Sequence, residues 1–246
     1  MTQPTGRIIL MGASSGIGYE LASRYLEAGW RVGMAARHTD SLAELAHRYP
    51  GLATYAAIDV TAEDAPMRLR QLIGDCGGMD IYLHVSGIGW QNMTLDAEKE
   101  LPTVETNAVG LARCVGEAYR YFAEKGHGHL AAVTSIAGTK GLGAAPAYSA
   151  SKAFATTYLQ ALEQQAHIRR LNIRFTDLRP GFVRTGLLSD GKHYPMLMDT
   201  KSVAIAIMRA IRHRRHVVVI DWRYRILTTL WRWIPNCVWR RICVKN

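Results

Sequence analysis

Seven short apolar runs recur along the chain, and a longer stretch with helical periodicity lies between each neighbouring pair. The predicted strands are Arg7–Met11, Arg31–Ala35, Thr54–Ile58, Ile81–Val85, His129–Thr134, Ile173–Leu178 and His216–Ile220. The predicted helices are 17–28, 40–49, 62–75, 95–125, 147–170 and 201–212. Strands that alternate with helices in this way are typical of a parallel sheet covered on both faces. The sequence therefore predicts an α/β fold, a doubly wound parallel sheet of Rossmann type with about seven strands.

The length of 246 residues fits one α/β domain better than two small ones. Met1–Gly6 is short and polar, and the apolar run Ile8–Met11 is too brief for the core of a signal peptide. The sequence contains no uninterrupted run of about 18 apolar residues, the length that a spanning helix needs. We therefore expect a cytoplasmic protein.

The four cysteines, Cys76, Cys114, Cys237 and Cys243, form neither a Cys-x-x-Cys pair nor a zinc-ligand spacing. We expect reduced thiols and no metal site, with a disulfide as the less favoured alternative.

A glycine-rich segment, Gly12-Ala13-Ser14-Ser15-Gly16-Ile17-Gly18, follows the first predicted strand. Glycines let the backbone turn sharply and approach a pyrophosphate with no Cβ in the way. The N-terminus of the next helix offers free N–H groups and the positive end of its dipole to an anion. A turn that only connects a strand to a helix is the structural alternative, but the position after the first strand favours nucleotide binding.

A tyrosine and a lysine stand four residues apart in Tyr148-Ser149-Ala150-Ser151-Lys152. On a helix they share a face, so the phenol and the ammonium point into the same space. An unperturbed tyrosine, with a pKa of about 10, is a poor acid–base catalyst at neutral pH. A neighbouring cation favours the phenolate and brings the pKa closer to the working range. Taken alone, such a pair is common and is more often part of a solvated helix face than of a catalytic site.

Further motifs occur in a fixed order. They are Asp59-Val60 after the third strand, Asn107 in Thr106-Asn107-Ala108-Val109-Gly110, Ser135 in Val133-Thr134-Ser135-Ile136-Ala137-Gly138, and Pro180-Gly181-Phe182-Val183-Arg184-Thr185. Together with the glycine segment and the Tyr-x-x-x-Lys pair, they resemble the short-chain dehydrogenase/reductase family over about Arg7 to Thr185.

The resemblance implies a catalytic tetrad of Asn107, Ser135, Tyr148 and Lys152. Tyr148 would exchange a proton with the substrate oxygen, Ser135 would hydrogen-bond that oxygen where negative charge develops, and Lys152 would lower the tyrosine pKa and hold the nicotinamide ribose. Asn107 would hold a water that links Lys152 to solvent. The residues implied to bind the cofactor are Gly12, Ser14, Ser15, Gly16, Ile17, Gly18, Arg37, Asp59, Val60, Tyr148, Lys152, Pro180, Gly181, Val183 and Thr185.

Two positions depart from the family's pattern. Met11 stands where a threonine is usual, and His84-Val85-Ser86-Gly87 stands where Asn-Asn-Ala-Gly is usual. The missing polar groups normally tie the loops above the sheet together, so the departures put local hydrogen bonding in doubt. His84 could be an additional catalytic group, but a hydrogen-bonded core histidine is the favoured interpretation.

The end of the second strand decides between the two nicotinamide cofactors. An acidic residue there would bind the adenosine ribose and repel a 2′-phosphate, but the chain has Ala35-Ala36-Arg37-His38. Arg37 supplies a guanidinium suited to phosphate, so we expect NADP(H) to be preferred over NAD(H). A solvated loop arginine is the alternative.

All of the net charge of +10 arises after Thr200, where eleven basic residues are opposed only by Asp221. We divide the chain into a catalytic domain, 1–221, and a basic, tryptophan-rich helical extension, 222–246. On a helix ending at Pro235, one broad face would carry Ile226, Leu227, Leu230, Trp231, Trp233 and Ile234. The other face would carry Arg225, Thr228, Thr229 and Arg232. A second short helix, Asn236–Cys243, would follow the proline.

Tryptophan and arginine on an amphipathic helix suit the headgroup layer of an anionic membrane. We therefore expect peripheral contact at the inner face of a membrane through 222–246. The alternatives are that this face covers the protein's own core or a partner subunit. Nucleic acid is not expected, because the apolar face suits lipid better than phosphate tracking.

The expected activity is hydride transfer between NADP(H) and a hydrophobic, lipid-like ketone or secondary alcohol. The alternatives are a soluble reductase of small carbonyl compounds and a non-catalytic NADP(H)-binding sensor or scaffold. We expect the loop 186–200 and the extension to set the substrate, and the protein to form a homo-oligomer, either a dimer or a tetramer.

Overall fold

The computed structural model describes residues 5–188, 194–242 and 244. Residues 1–4 of the expected catalytic domain, residues 189–193 of the expected substrate loop, and Cys243, Lys245 and Asn246 of the extension lie outside the described residues. The strands are β1 (Arg7–Met11), β2 (Arg31–Ala36), β3 (Ala53–Ala57), β4 (Ile81–His84), β5 (His127–Val133), β6 (Asn172–Arg179) and β7 (Val217–Val219). The helices are α1 (Gly16–Glu27), α2 (Asp40–Arg48), α3 (Ala65–Asp75), α4 (Ala97–Val104), α5 (Leu111–Lys125), α6 (Pro146–Ile168), α7 (Thr200–Arg212), α8 (Trp222–Trp233) and α9 (Asn236–Trp239).

The strands form one parallel sheet in the order β3-β2-β1-β4-β5-β6-β7. The predicted doubly wound sheet is confirmed, and each predicted strand ends within two residues of the observed one. The first strand lies at the centre because β1 pairs with both β2 and β4. The order of the strands reverses there, and such a switch point is where open α/β sheets bind their ligands.

Two apolar cores cover the two faces of the sheet. Side chains alternate along β1, so Ile8 and Leu10 enter one core while Ile9 and Met11 enter the other. The first core lies beneath α1, α2, α7 and α8, and the second lies beneath α3, α5 and α6. All four of these β1 side chains are fully buried, which fixes the strand that carries the glycine segment.

The predicted helix 95–125 is helical from Ala97 to Lys125, but it is not one regular α-helix. Asp96 caps α4 by accepting a 3.1 Å hydrogen bond from the Glu98 backbone, and a π-helical segment, Glu105–Gly110, separates α4 from α5. A widened turn does not interrupt an apolar pattern with a period near 3.6, so the sequence did not reveal it. Asn107 lies in this segment.

The predicted broad apolar face of the extension is also wrong, because α8 divides it. The inward side consists of Tyr224, Leu227, Thr228 and Trp231, whereas Ile226, Leu230 and Trp233 are exposed. Thr228, expected on the polar face, is buried because its hydroxyl donates 2.9 Å to the Tyr224 carbonyl and needs no water. The short helix α9 ends at Trp239, earlier than expected. Across the described residues, no helix is long and apolar enough to cross a bilayer.

Candidate active site

Four loops meet at the carboxyl end of the sheet, around the switch point between β1 and β4. They follow β1, β4, β5 and β6, and they carry the glycine segment, residues 85–91, Ser135 and the segment Pro180–Thr185. Helix α6 brings Tyr148 and Lys152 to the same edge, and the π-helical segment brings Asn107 there. Topology alone therefore gathers the predicted motifs at one end of the sheet.

The glycine segment makes a turn that only glycine permits at two of its positions. Gly12 has a φ of +94°, and a Cβ there would lie 2.5 Å from the backbone nitrogen of Ser86. A Cβ on Gly18 would overlap the carbonyl oxygen of Gly12. At the start of α1, the Ser15 side chain makes no capping hydrogen bond, so the N–H groups of the first turn remain available to an anion. The Ser14 carbonyl accepts 2.9 Å from the Ser41 hydroxyl, which ties the turn to α2.

The loops that lack the family's usual polar side chains are joined through the backbone instead. The carbonyl oxygen of Met11 accepts hydrogen bonds from the backbone nitrogens of Val85 and Ser86, at 2.7 and 2.9 Å. The Met11 side chain is fully buried in the core. The loops after β1 and β4 are therefore connected by backbone hydrogen bonds in spite of the two departures.

Tyr148, Lys152 and Ser135 form the chemical centre of the site. Lys152 Nζ lies 5.7 Å from the centre of the Tyr148 ring and donates a 3.1 Å hydrogen bond to the Val133 carbonyl at the end of β5. Ser135 accepts 3.1 Å from the Ala137 backbone nitrogen, which orients its hydroxyl, and this hydroxyl also approaches the Tyr148 phenol. Gly89 packs so closely on the Tyr148 ring that any Cβ there would overlap it. The loop after β4 therefore packs tightly against this ring.

Burial acts on the pKa of both members of the Tyr-x-x-x-Lys pair. It raises the pKa of Tyr148, while the hydrogen bond with Ser135 works in the opposite direction. It lowers the pKa of Lys152 to about 8, with Asp177 opposing the shift. Desolvation penalises the charged form of each group, so it makes loss of the proton harder for Tyr148 and easier for Lys152. The lowering of the Tyr148 pKa by Lys152 that the sequence led us to expect is outweighed by burial in this structure.

Asn107 lies beside Lys152 and fastens the loop after β4. Its Oδ1 accepts 2.9 Å from the Ile88 nitrogen, and its Nδ2 donates to the Ile88 carbonyl at 2.7 Å and to the Ser151 hydroxyl at 3.1 Å. A Cβ on Gly87 would be 3.2 Å from both Asn107 Oδ1 and Lys152 Nζ. The four members of the expected tetrad thus occupy one small volume, and the side chain of Asn107 is already engaged there.

His84 is a buried core residue. Its Nδ1 shares a 2.9 Å hydrogen bond with the Tyr82 hydroxyl, and burial lowers its pKa to about 3, with a contribution from Lys152. It is therefore neutral at physiological pH, as the favoured interpretation of the sequence expected. Its Nε2 is buried and has no hydrogen-bond partner among the described residues.

The Pro180–Thr185 segment is held by α8. The Tyr224 ring packs directly on Gly181, and its hydroxyl accepts 3.2 Å from the Phe182 nitrogen and donates to the Pro195 carbonyl at 2.9 Å. Thr185 lies across the glycine segment, with its methyl group 3.1 Å from the position of a Cβ on Gly16. The sequence did not identify Tyr224 as part of the site, because its spacing from the motif carries no signal.

The residues expected at the adenosine end follow β2 and β3. Arg37 is exposed directly after β2, while Val60 is buried against Gly110. Burial of Asp59 would raise its pKa, but hydrogen bonds from the Thr61 backbone and hydroxyl, at 2.9 and 2.8 Å, outweigh this and lower it, with help from nearby Arg37. Arg37 and Asp59 are therefore close neighbours at the ends of β2 and β3.

A buried ion pair beneath the site was also missed. Asp177 and Arg179 on β6 are joined at 2.7 Å, both nearly inaccessible, and Thr134 beside Ser135 donates its hydroxyl to the same carboxylate. Two charged residues at alternate positions of a strand give no indication in the sequence that they pair. The Asp177 carboxylate still acts on Lys152, whose pKa it raises against the effect of burial.

A cavity of about 800 Å³ lies between the C-terminal segment and the loops after β4 and β5, lined in part by Met93, Leu142, Trp239 and Ile242. Lys140 closes one side, since its Nζ donates 3.1 Å to the Ile234 carbonyl and 2.6 Å to Asn236 Oδ1. A larger cavity, about 970 Å³, is lined by residues such as Trp30 and Arg174 and contains none of the predicted site residues.

The comparisons with known proteins agree on one family. The sequence profile of the family described as short chain dehydrogenase matches residues 7–193. A protein of Myxococcus xanthus described as an uncharacterized oxidoreductase is 31% identical, over 93% of this chain and 92% of the relative. A protein of Mycobacterium tuberculosis with the same description is 30% identical, over 93% and 90%.

Solved structures show the same fold. A short-chain type dehydrogenase/reductase from Mycobacterium marinum superposes with a TM-score of 0.77 at 25% identity, covering 90% of this chain and 96% of that one. The protein ElxO with NADP bound, at 19% identity, gives a TM-score of 0.78, covering 90% and 99%. A 3-ketoacyl-(acyl-carrier-protein) reductase from Brucella melitensis complexed with NADH, at 20% identity, gives 0.79, covering 89% and 98%. ElxO and the Brucella melitensis reductase are only 19% and 20% identical to this chain, so their similarity shows a common fold and nothing more.

Proposed function

The chain belongs to the short-chain dehydrogenase/reductase family of oxidoreductases, and from this premise we propose that it transfers a hydride between NADP(H) and a hydrophobic ketone or secondary alcohol. The observation that carries the proposal is the contact geometry of Tyr148, with Lys152 Nζ 5.7 Å from its ring and the Ser135 hydroxyl beside its phenol. A proton donor, an oriented hydroxyl and a cation lie close together here. Such a set suits a reaction in which negative charge develops on an oxygen atom and is then neutralised by a proton.

In the direction of reduction, Tyr148 gives its proton to the carbonyl oxygen of the substrate. Ser135 donates a hydrogen bond to the same oxygen while negative charge grows on it. Lys152 stabilises the tyrosinate that remains, because a cation close to the phenol favours its charged form. In the direction of oxidation the proton returns by the same route, and Asn107 holds the loop after β4 against Lys152 throughout.

The residues of the glycine segment fit a dinucleotide. Gly12 and Gly18 leave space that a Cβ would fill, and the first turn of α1 presents uncapped N–H groups, an arrangement that suits a pyrophosphate. Asp59 and Val60 would lie along the adenine, and Pro180, Gly181, Val183 and Thr185 would border the nicotinamide. The bound cofactor supplies or accepts the hydride.

The preference for NADP(H) is argued from Arg37. It is exposed at the end of β2, where a guanidinium can reach the 2′-phosphate, and alanine occupies the two positions before it. The Asp59 carboxylate lies near Arg37, and Thr61 already engages one of the oxygens of Asp59.

The hydrophobic substrate class is argued from the cavity of about 800 Å³. Met93, Leu142, Trp239 and Ile242 give it an apolar lining, and the Leu142 nitrogen donates 3.1 Å to the hydroxyl of Ser149, the neighbour of Tyr148. An open pocket with a partly apolar lining, next to the helix that carries the proton donor, favours a substrate with an extended apolar part.

The test measures turnover with NADPH and with NADH on ketones graded by chain length and ring content. We expect kcat/KM to rise with apolar size and to be higher with NADPH. Activity confined to small carbonyls would favour the soluble reductase, and tight NADPH binding with no turnover on any ketone would favour the sensor. We also expect a homo-oligomer in the cytoplasm, supported by exposed apolar residues on α4 and α6 such as Leu101 and Phe154.

A further inference from the structure

The outer side of α8 carries an apolar stripe that nothing in the described chain covers. Trp222, Ile226, Leu230 and Trp233 are 67%, 52%, 53% and 78% exposed. At 3.6 residues per turn these four positions fall within an arc of about 80° on the helix surface. We call them the outer stripe.

The outer stripe lies opposite the side that holds α8 in place. Tyr224 is fully buried and Thr228 nearly so, and Trp231 packs on Trp239 with ring centres 5.3 Å apart. These contacts fix the rotation of the helix about its axis, so the outer stripe does not turn inward to complete the core. Four large apolar side chains thus remain in solvent on a helix whose core-facing side is already satisfied.

The flanks of the outer stripe are cationic. Arg225 and Arg232 border it on one side and Arg223 on the other, with Arg240 and Arg241 following α9. Within the described part of the chain, Arg223 is paired with Asp221 at 2.6 Å, while Arg225 and Arg232 make no ion pair. Asp221 is also the sole acidic residue after Thr200.

This charge pattern decides what can cover the outer stripe. If a second copy docked by the same surface, its symmetric contact would bring the unpaired arginines of both copies together, which is unfavourable. An anionic lipid surface supplies both an apolar layer for the tryptophans and negative headgroups for the arginines. We propose that the outer stripe of α8 is a docking surface for an anionic bilayer, on which the enzyme rests with Trp222, Ile226, Leu230 and Trp233 in the headgroup layer.

The docked helix lies close to the reaction site. It packs on the turn Ile136–Thr139, which directly follows Ser135, and the chain after it supplies Trp239 and Ile242 to the wall of the 800 Å³ cavity. A bilayer against the outer stripe would therefore bring dissolved apolar molecules near that cavity. The docking itself does not depend on which carbonyl is reduced or on which cofactor is used.

The experiment is cosedimentation of the full-length protein with vesicles. Wild-type protein should pellet with phosphatidylglycerol/phosphatidylcholine vesicles, bind phosphatidylcholine alone far less, and dissociate as salt rises. The triple variant Ile226→Ser/Leu230→Ser/Trp233→Ser should bind these vesicles at least about tenfold more weakly than the wild type. The double variant Arg225→Glu/Arg232→Glu should also lose binding. A matched control, Met67→Ser/Ile168→Ser, changes two residues of similar exposure on other helices and should bind like the wild type.

Folding and oligomeric state are measured on the same samples. All variants should keep the wild-type Tm and sedimentation coefficient. Equal vesicle binding by the wild type and the triple variant, or no binding by the wild type, would overturn the proposal. A triple variant that dissociates from dimer to monomer would overturn it too, since the outer stripe would then join two copies. Because binding is scored by pelleted protein, vesicle binding without any ketone turnover would refute only the enzymatic proposal.

Discussion

Lys152 is held in an environment that opposes its charge. It is almost inaccessible, and burial lowers its pKa to about 8 from an ordinary value near 10.5. The unfolded chain therefore binds this proton more tightly than the native protein, and between these two pH values the native stability rises with pH. Below about pH 8 the lysine is charged in both states, and the free energy of unfolding is reduced by the full cost of burying the ammonium.

Lys152→Met should therefore stabilise the protein while abolishing most of its turnover. We expect the free energy of unfolding to rise by about 1–2 kcal/mol at pH 7, since the variant loses the cost of burying a charge but also one hydrogen bond to Val133. The gain should vanish near pH 10, where the wild-type lysine is already neutral. Denaturant titrations at both pH values measure this, and a variant less stable than the wild type at pH 7 would contradict it.

Tyr148→Phe should remove the proton donor with little effect on the fold. Acid–base groups typically contribute about 10²–10⁴-fold in rate, and kcat should fall within that range. The control is Tyr158→Phe on the same helix, which loses a hydroxyl away from the tetrad and should keep its turnover. NADPH binding, followed by fluorescence, should be nearly unchanged in both variants. A Tyr148→Phe variant with more than about half the turnover would show that another group supplies the proton.

Arg37→Asp should reverse the choice of cofactor, because a carboxylate would repel the 2′-phosphate and could hold a ribose hydroxyl. The ratio of kcat/KM for NADPH to that for NADH should fall by about tenfold or more, a difference of about 1.4 kcal/mol. Arg174→Asp, an equivalent charge change on β6, is the control. An unchanged ratio would identify Arg37 as a solvated loop residue.

Individual residues were predictable where several motifs supported one another. Asn107, Ser135, Tyr148 and Lys152 were named from the sequence, and the structure brings them together. The pairing of Asp177 with Arg179 was not predictable, since it depends on burial that neither residue indicates. The backbone hydrogen bonds from Val85 and Ser86 to the Met11 carbonyl were not predictable either, because they do not depend on which side chains stand there.

At the level of elements, Tyr224 joins the last long helix to the cofactor side of the site. Tyr224→Phe should keep the packing on Gly181 but lose the hydrogen bonds to Phe182 and Pro195. We expect unfolding to become easier by about 1–2 kcal/mol and KM for NADPH to rise, because the Pro180–Thr185 segment is released. Thermal unfolding and steady-state kinetics measure both effects. Tyr55→Phe, at an exposed position on β3, is the control. A lower Tm with an unchanged KM would show that Tyr224 supports the fold alone.

The helices and strands were predicted accurately where their sequence pattern is distinct. Strands at the centre of a parallel sheet are continuous apolar runs, so β1 was located to the residue. The π-helical segment was missed because it has no distinct apolar period. The orientation of α8 was missed because both of its sides carry large apolar residues, and only the burial of Tyr224 tells the inward side from the outward one.

At the scale of the whole molecule, the extension is partly built into the catalytic domain. A chain that ends after Asp221 should lose the core contribution of Tyr224 and fold poorly, whereas a chain that ends after Trp233 should keep a cooperative unfolding transition. Soluble yield and thermal unfolding compare the two. Equal stability of both truncated chains would support the division of the sequence at residue 221. Failure of the longer one would show that α9, through Lys140 and Trp239, is also needed to hold the fold.

The position of Tyr224 has a consequence for biosynthesis. Translation proceeds from the amino end, and the glycine segment, the tetrad and all of β6 leave the ribosome before α8 exists. Until then the groove beside Gly181 is open and its apolar walls are wet, a condition that favours binding by chaperones or aggregation. The nascent chain therefore holds every reactive side chain but not the support for its cofactor loop, and competence for catalysis arrives only once α8 has been made.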